Sequence, residues 1–133
     1  MNFGFTYADP GSKYAVFLNN DMIVEPQSFS AIIEHMESCE EVAAASGSIF
    51  YGDGETIYSA GGVASELGNA GSVCWLMKLS ECYSALREHY VTYADGAYMV
   101  ARIDAVNRVS YSGKPFLDEA FLYFDDYILG LLL

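Results

Sequence analysis

Positive charge is what this sequence has least of. Six Lys and Arg stand against 18 Asp and Glu, a formal net charge of -12 over 133 residues. Non-specific nucleic-acid binding needs Lys and Arg to displace counterions, and anionic lipid surfaces need a basic patch, so both functions are excluded. An anionic small molecule remains open as a ligand where a divalent cation or a local basic residue offsets the repulsion. No apolar run approaches the roughly 20 residues that span a bilayer. The opening Met1-Asn-Phe-Gly4 lacks a basic segment followed by an apolar one, so no signal peptide is read, and a soluble cytoplasmic protein is expected. The three cysteines, Cys39, Cys74 and Cys82, form no CxxC pair and are odd in number. They read as buried, reduced thiols.

What is abundant is apolar and aromatic surface. The chain is 53% hydrophobic and carries 11 Tyr and 8 Phe, which excludes disorder as its general state. Its length suits one domain with a real core. No repeat, linker or low-complexity tract interrupts it.

The run Tyr14-Ala-Val-Phe-Leu-Asn-Asn-Asp21 has the form of a buried parallel strand that breaks into polar residues and ends on a carboxylate. In open α/β sheets ligands sit outside the carboxyl ends of strands, which makes Asp21 a candidate ligand group. Past Pro26, read as a first helical position, Phe29, Ile32, Ile33 and Met36 fall at i, i+3, i+4 and i+7, one face of a helix. Residues 42–50 read as a strand, Tyr51-Gly-Asp-Gly54 as a turn and 55–59 as the returning strand of a hairpin. Residues 60–72, with four glycines, read as a long loop. A short helix over 80–88, a strand over 90–94 and a helix over about 103–109 follow. A last helix starts with Asp125 or Asp126 as its N-cap.

Hard divalent cations take oxygen ligands, and Mg²⁺ is commonly held by one or two carboxylates plus substrate phosphates. Asp21 suits a metal carrying a diphosphate, and Asn19 and Asn20 suit sugar or ribose hydroxyls. The same three residues read equally well as a simple turn. A carboxylate at a helix N-terminus is favoured in its charged form, which fits Asp125 or Asp126 for a general base as well as for a cap. His35 and His89 read as packed or solvated residues before metal ligands. Trp75 and the tyrosines read as core or rim residues first and as sugar platforms second. Asp53-Gly54 lacks the alternating carboxylates of a calcium loop.

Together these segments resemble family 2 glycosyltransferases. Tyr14–Asp21 followed by Val24 and Pro26 resembles the family's "LNND…v.P" block. Asp95-Gly-Ala-Tyr-Met-Val-Ala-Arg102 resembles its "GA-x-M-x-x-R" segment. Phe116-Leu-Asp-Glu-Ala-Phe-Leu-Tyr-Phe-Asp-Asp126 resembles its "fDE-x-F-x-Y-x-ED" block, with Asp125 in place of Glu. Ser59-Ala-Gly-Gly62 is similar to a step in the rhamnosyltransferase-like branch. The helix that normally follows carries "D-x-L-x-x-R", whereas Tyr127-Ile-Leu-Gly-Leu-Leu-Leu133 lacks both the acid and the Arg.

The resemblance implies an α/β fold, a partial GT-A (Rossmann-like) mixed sheet flanked by helices. The N-terminal nucleotide-binding strands, roughly 60 residues at about 30 per βα unit, would be missing. Residues 1–133 are then expected to form a single incomplete domain. It implies inverting, metal-assisted transfer of a sugar from a nucleotide diphosphate sugar to a glycan or other hydroxyl acceptor. Asp21 would bind Mn²⁺ or Mg²⁺. Asn19, Asn20, Asp95 and Gly96 would line the substrate, Asp126 would be the base and Asp125 its support. Asp118 and Glu119 would be structural or shape the acceptor side. The alternative is a truncated, non-catalytic relative that acts through self-association or a partner chain, which predicts a homo-oligomer.

Overall fold

The computed structural model describes residues 1–118 and 124–133. In chain order the elements are α1 (Asn2–Phe5), β1 (Tyr14–Leu18), α2 (Ser28–Ser38), β2 (Ala44–Ala45), β3 (Ile49–Phe50), β4 (Ile57–Ser59), β5 (Gly62–Ala64), β6 (Ala70–Ser72), β7 (Tyr98–Arg102), α3 (Ile103–Val109) and α4 (Asp125–Leu132). Two short 3₁₀ turns, Leu79–Glu81 and Tyr83–Leu86, precede β7. The chain is thus a mixed α and β structure. Among the described residues no helix is long and apolar enough to cross a membrane.

The central sheet has three strands in the order β1-β7-β2. The expected parallel strand is antiparallel: β1 pairs with β7 from Tyr14↔Arg102 to Leu18↔Tyr98, and β2 pairs with β7 at Ala44↔Ala101 and Ala45↔Val100. It is also an edge strand, buried only at Phe17, with Val16 and Leu18 exposed. Burial on both faces belongs instead to β7, whose first four residues are all covered. Alternation along β7 divides the core, because successive side chains leave opposite faces of a strand. Tyr98 and Val100 pack with Met36, Phe29, Ile32 and Ile33, the apolar stripe of α2. Met99 and Ala101 pack with Phe17, Val106, Phe116 and Leu129, under α1, α3 and α4.

Side chains fix α2 to this sheet at both ends. Ser28 and Tyr98 share a hydroxyl hydrogen bond of 2.7 Å. Arg102 donates from Nε to the Val42 carbonyl at 2.9 Å and from Nη2 to the carbonyls of Met36 and Cys39, at the C-terminal end of α2 where carbonyls lack helical partners. The helix itself starts at Ser28, two residues past Pro26, with Gln27 as its N-cap.

The 51–54 turn and its hairpin form as the sequence predicts, with β3 pairing β4. Three other expectations do not hold. The 42–50 strand breaks into β2 and β3 around Gly47, where an added Cβ would lie 3.3 Å from the Tyr98 ring. The 60–72 loop is a second hairpin, β5 with β6, whose glycines disguise the strand period. Residues 90–94 form no strand beyond one bridge, Gly62↔Tyr93, made possible because Gly62 has no Cβ: one would lie 2.2 Å from the Tyr93 ring.

The cysteine reading is also corrected. Cys74 and Cys82 are disulfide-bonded, with Cα atoms 6.0 Å apart, and only Cys39 is free. A spacing of eight carries no motif, but the chain doubles back between residues 74 and 82 and brings the thiols together beside Ile57 and Ala60. The cysteines therefore no longer argue for a reducing compartment. Native protein is expected to titrate one thiol, and reduction or Cys74→Ser to lower stability by about 2–3 kcal/mol for a loop of this length. Three titratable thiols before any reductant is added would refute the pairing.

Candidate functional site

The sequence segments of interest meet at one end of the central sheet. Beyond Leu18 the Asn19 amide donates to the Ala97 carbonyl at 3.0 Å, which extends the β1–β7 register into the segment before β7. The Met22 amide then donates to the Asn19 carbonyl at 3.4 Å and closes a turn. Asn19, Asn20 and Asp21 are all exposed in that turn. The turn reading is therefore correct, and it leaves the Asp21 carboxylate with no bonded partner among the described residues.

On the other strand, Asp95 is buried, and its Oδ1 accepts the Ala97 amide at 3.0 Å while its carbonyl accepts the Tyr98 amide at 3.1 Å. The bend holds Gly96 facing α4. There the Gly96 amide donates to Asp126 Oδ2 at 2.9 Å, and the Tyr127 amide donates to Oδ1 at 2.8 Å. A Cβ at Gly96 would lie 3.1 Å from the Asp126 Cβ. The absent side chain at Gly96 thus leaves room for Asp126.

Neither acid is the helix cap. Phe124 holds that position, with φ 64°, and Asp125 and Asp126 are the first two helical residues. The expected stabilisation of the charged form is also outweighed at Asp126. Burial pushes its carboxyl up from the usual range, against the two amides that lower it, and Asp95 and Asp125 push it further up. Tyr93 is raised by burial and by the same acids, Asp126 and Asp95. Its ring meets Tyr127 edge-on at 5.7 Å, and its Cα and Cβ pack against Gly130, where an added Cβ would come 2.3 Å from the Tyr93 Cβ. Tyr93 and Gly130 were not legible as site residues, since nothing in their spacing marks them.

The remaining candidates have local partners. Asp118 accepts from Asn2 at 3.0 Å and from Lys114, whose hydrogen bond lowers its pKa, so it ties α1 to the segment before 119. Glu119, with the apolar run to Tyr123, lies outside the described residues. Asp53 accepts the amides of Glu55 and Thr56 and the Thr56 hydroxyl, which holds its carboxyl well below the usual range and leaves it committed to its own turn. His35 pairs with Glu88 at 3.2 Å, and both ring nitrogens of His89 lie 2.9 Å from main-chain carbonyls. These histidines border a groove of about 640 Å³ between β2 and residues 87–94, which none of Asp21, Asp95 or Asp126 lines.

Among the described residues no three His, Cys, Asp or Glu side chains converge to hold a metal. Asp21, exposed and without a bonded partner among the described residues, offers a single carboxylate, so an ion there would need its other ligands from a bound diphosphate and water. No protein-family model, curated protein or solved structure matches this chain.

An acid whose pKa is higher in the folded chain favours folding most below its unfolded pKa, and that contribution is lost as pH rises through the folded value. Asp126→Asn removes the titration. Its stability relative to the parent is therefore expected to improve steadily from about pH 3 to about pH 7 in denaturant unfolding. A difference that is flat, or that moves the other way, would show that burial does not dominate at this carboxyl.

Proposed function

We propose that this chain is a glycosyltransferase-like domain of the GT-A type, resembling family 2. It would transfer a sugar with inversion from a nucleotide diphosphate sugar to an acceptor hydroxyl. The observation that carries this reading is the convergence of the three resembling blocks: Asn19 bonds Ala97, and Gly96 bonds Asp126, so residues 19–21, 95–97 and 125–126 share one end of the sheet.

In this reading Asp21 would hold Mn²⁺ or Mg²⁺, a Lewis acid that would supply compensation for the charge of a nucleoside diphosphate. Asn19 and Asn20, exposed beside it, bind donor hydroxyls. Asp126 accepts the proton of the acceptor hydroxyl as that oxygen bonds the anomeric carbon and the bond to the diphosphate breaks. The carboxyl raised by burial is more basic than a solvated Asp, and the Gly96 and Tyr127 amides orient it. Asp125 supports it, and Asp95 fixes the bend that presents Gly96. In calorimetric titration, a nucleoside diphosphate is expected to bind only with Mn²⁺ present. Asp21→Ala should weaken that binding at least tenfold, about 1.4 kcal/mol, while Asp126→Asn leaves it nearly unchanged. Equal binding by Asp21→Ala and the parent would remove the metal assignment.

A second reading, association through β1, has its own observation. The strand is at the sheet edge and exposes Val16 and Leu18 to 44% and 41%, an apolar edge of the kind that pairs with other chains. Sedimentation is expected to show a concentration-dependent dimer that Val16→Lys abolishes. A monomer at every concentration tested would dispose of this reading.

A further inference from the structure

Six aromatic rings run from the two hairpins to Asp126. Trp75 donates from Nε1 to the Tyr51 hydroxyl at 3.2 Å, and Tyr51 meets Tyr58 edge-on at 5.6 Å. Tyr93 donates its hydroxyl to the Gly71 carbonyl of β6 at 3.4 Å, which ties the next ring of the row to the second hairpin. Tyr93 meets Tyr127 at 5.7 Å, and Tyr127 meets Phe124 at 6.0 Å. The row is open to solvent at both ends and between: Trp75 is 58% exposed, Phe124 55%, Tyr58 39% and Tyr51 38%. Backbone geometry supports this presentation. Phe124 has φ 64°, and Trp75 sits between Cys74 at φ 61° and Leu76 at φ 62°. Left-handed backbone costs about 1 kcal/mol or more at each non-glycine residue, so it persists only where the surroundings enforce it.

We propose that this row, from Trp75 through Tyr51, Tyr58, Tyr93 and Tyr127 to Phe124, is a binding track for a neutral oligosaccharide that ends at Asp126. A pyranose has an apolar C–H face that stacks on an aromatic ring and a hydroxyl rim that hydrogen-bonds to carboxylates. The track offers both, with rings along its length and the Asp125 and Asp126 carboxylates next to Tyr127 in α4. Charge selects the class. A chain of net charge -12, with these acids at the end of the row, repels acidic glycans and nucleic acids and leaves neutral sugars acceptable. Continuity with Asp126 gives the saccharide's hydroxyl a base at the end of the track. That use of the site as an acceptor subsite rests on the transferase reading, whereas saccharide binding itself does not.

Trp75 is the single tryptophan, so its emission reports on the track directly. Cellohexaose, maltohexaose and xylohexaose, titrated with chelator present and no nucleotide, are the probes. At least one is expected to give a saturable change in emission. Tyr58→Ala should weaken that binding at least tenfold, and Tyr58→Phe, which keeps the ring, should hold it within about threefold. Saturation transfer from aromatic protons of the unmodified protein to sugar C–H protons tests the same contact without relying on a folded variant. No saturable change with any of the three probes overturns the proposal. So does a concentration-dependent dimer lost in Tyr58→Ala without saccharide binding, which would make the row a protein-docking face. Nucleotide binding with Mn²⁺, measured on the same sample, separates failure of the track from failure of the transferase reading.

Discussion

The antiparallel pairing of β1 with β7 is the constraint on which the rest of the structure depends. It sets Leu18 opposite Tyr98, so the polar end of β1 and the approach to β7 emerge side by side. One register slip would send every side chain of β1 to the other face, burying Val16 and exposing Phe17. Phe17 prevents this: it is 5% exposed and meets Phe116 edge-on at 4.9 Å and Phe5 at 6.1 Å. The same packing anchors α1, whose Asn2 exchanges two hydrogen bonds with the Phe116 main chain. Core packing around one aromatic residue thus determines where Asn19–Asp21 stand relative to Asp95–Ala97.

At that end of the sheet two opposed effects act on one carboxyl. Two amides aimed at Asp126 favour its charged form, while burial and two neighbouring acids disfavour it, and the second set prevails. A carboxyl in this balance is oriented by hydrogen bonds and made more basic by its surroundings. Orientation and basicity are separate demands on a general base, and a solvated cap would meet neither. The position inside the helix matters here, because a cap at 124 would turn the side chain toward its own helix and away from Gly96.

The large elements were legible from sequence because their patterns are long and clean. The 29-32-33-36 stripe of α2 and the apolar run 14–18 need only their own periodicity. The 51–54 turn is equally local, announced by Gly-Asp-Gly. What failed depended on contacts between distant residues. Strand β1 reads as buried because Tyr-Ala-Val-Phe-Leu is apolar throughout, yet burial on both faces requires neighbours that the run cannot specify. The β5–β6 hairpin is hidden by Gly62, whose role is to admit the Tyr93 ring from 31 positions away. The Cys74–Cys82 bond carries no motif because a fold of the chain between them, and no fixed spacing, unites them. Within the site, Asp21 and Asp126 are legible from strand-end and helix-start logic, and Asp95 only through the resemblance. The reversal at Asp126 is not, because its burial is a tertiary property.

Electrostatics narrows the chemistry further. The chain has six basic side chains, and each is engaged away from Asp21 and Asp126. Lys13 pairs with Glu37, Lys78 with Asp53 and Glu55, Lys114 with Asp118, and Arg108 with Asp104. Arg87 bonds and stacks on Tyr83, and Arg102 is taken up by the carbonyls at the end of α2. An anion approaching Asp21 within this chain therefore meets acids and main chain, with no guanidinium or ammonium to receive it. A diphosphate at that position would be repelled by several like charges at once, and a surface hydrogen bond or two of about 1 kcal/mol each would not offset that. For any anionic donor bound by this chain alone, the compensating charge has to arrive with the ligand. In the proposed chemistry a divalent ion on Asp21 would then be required, and the donor end would be distinct from the Asp126 end, which would serve an uncharged hydroxyl.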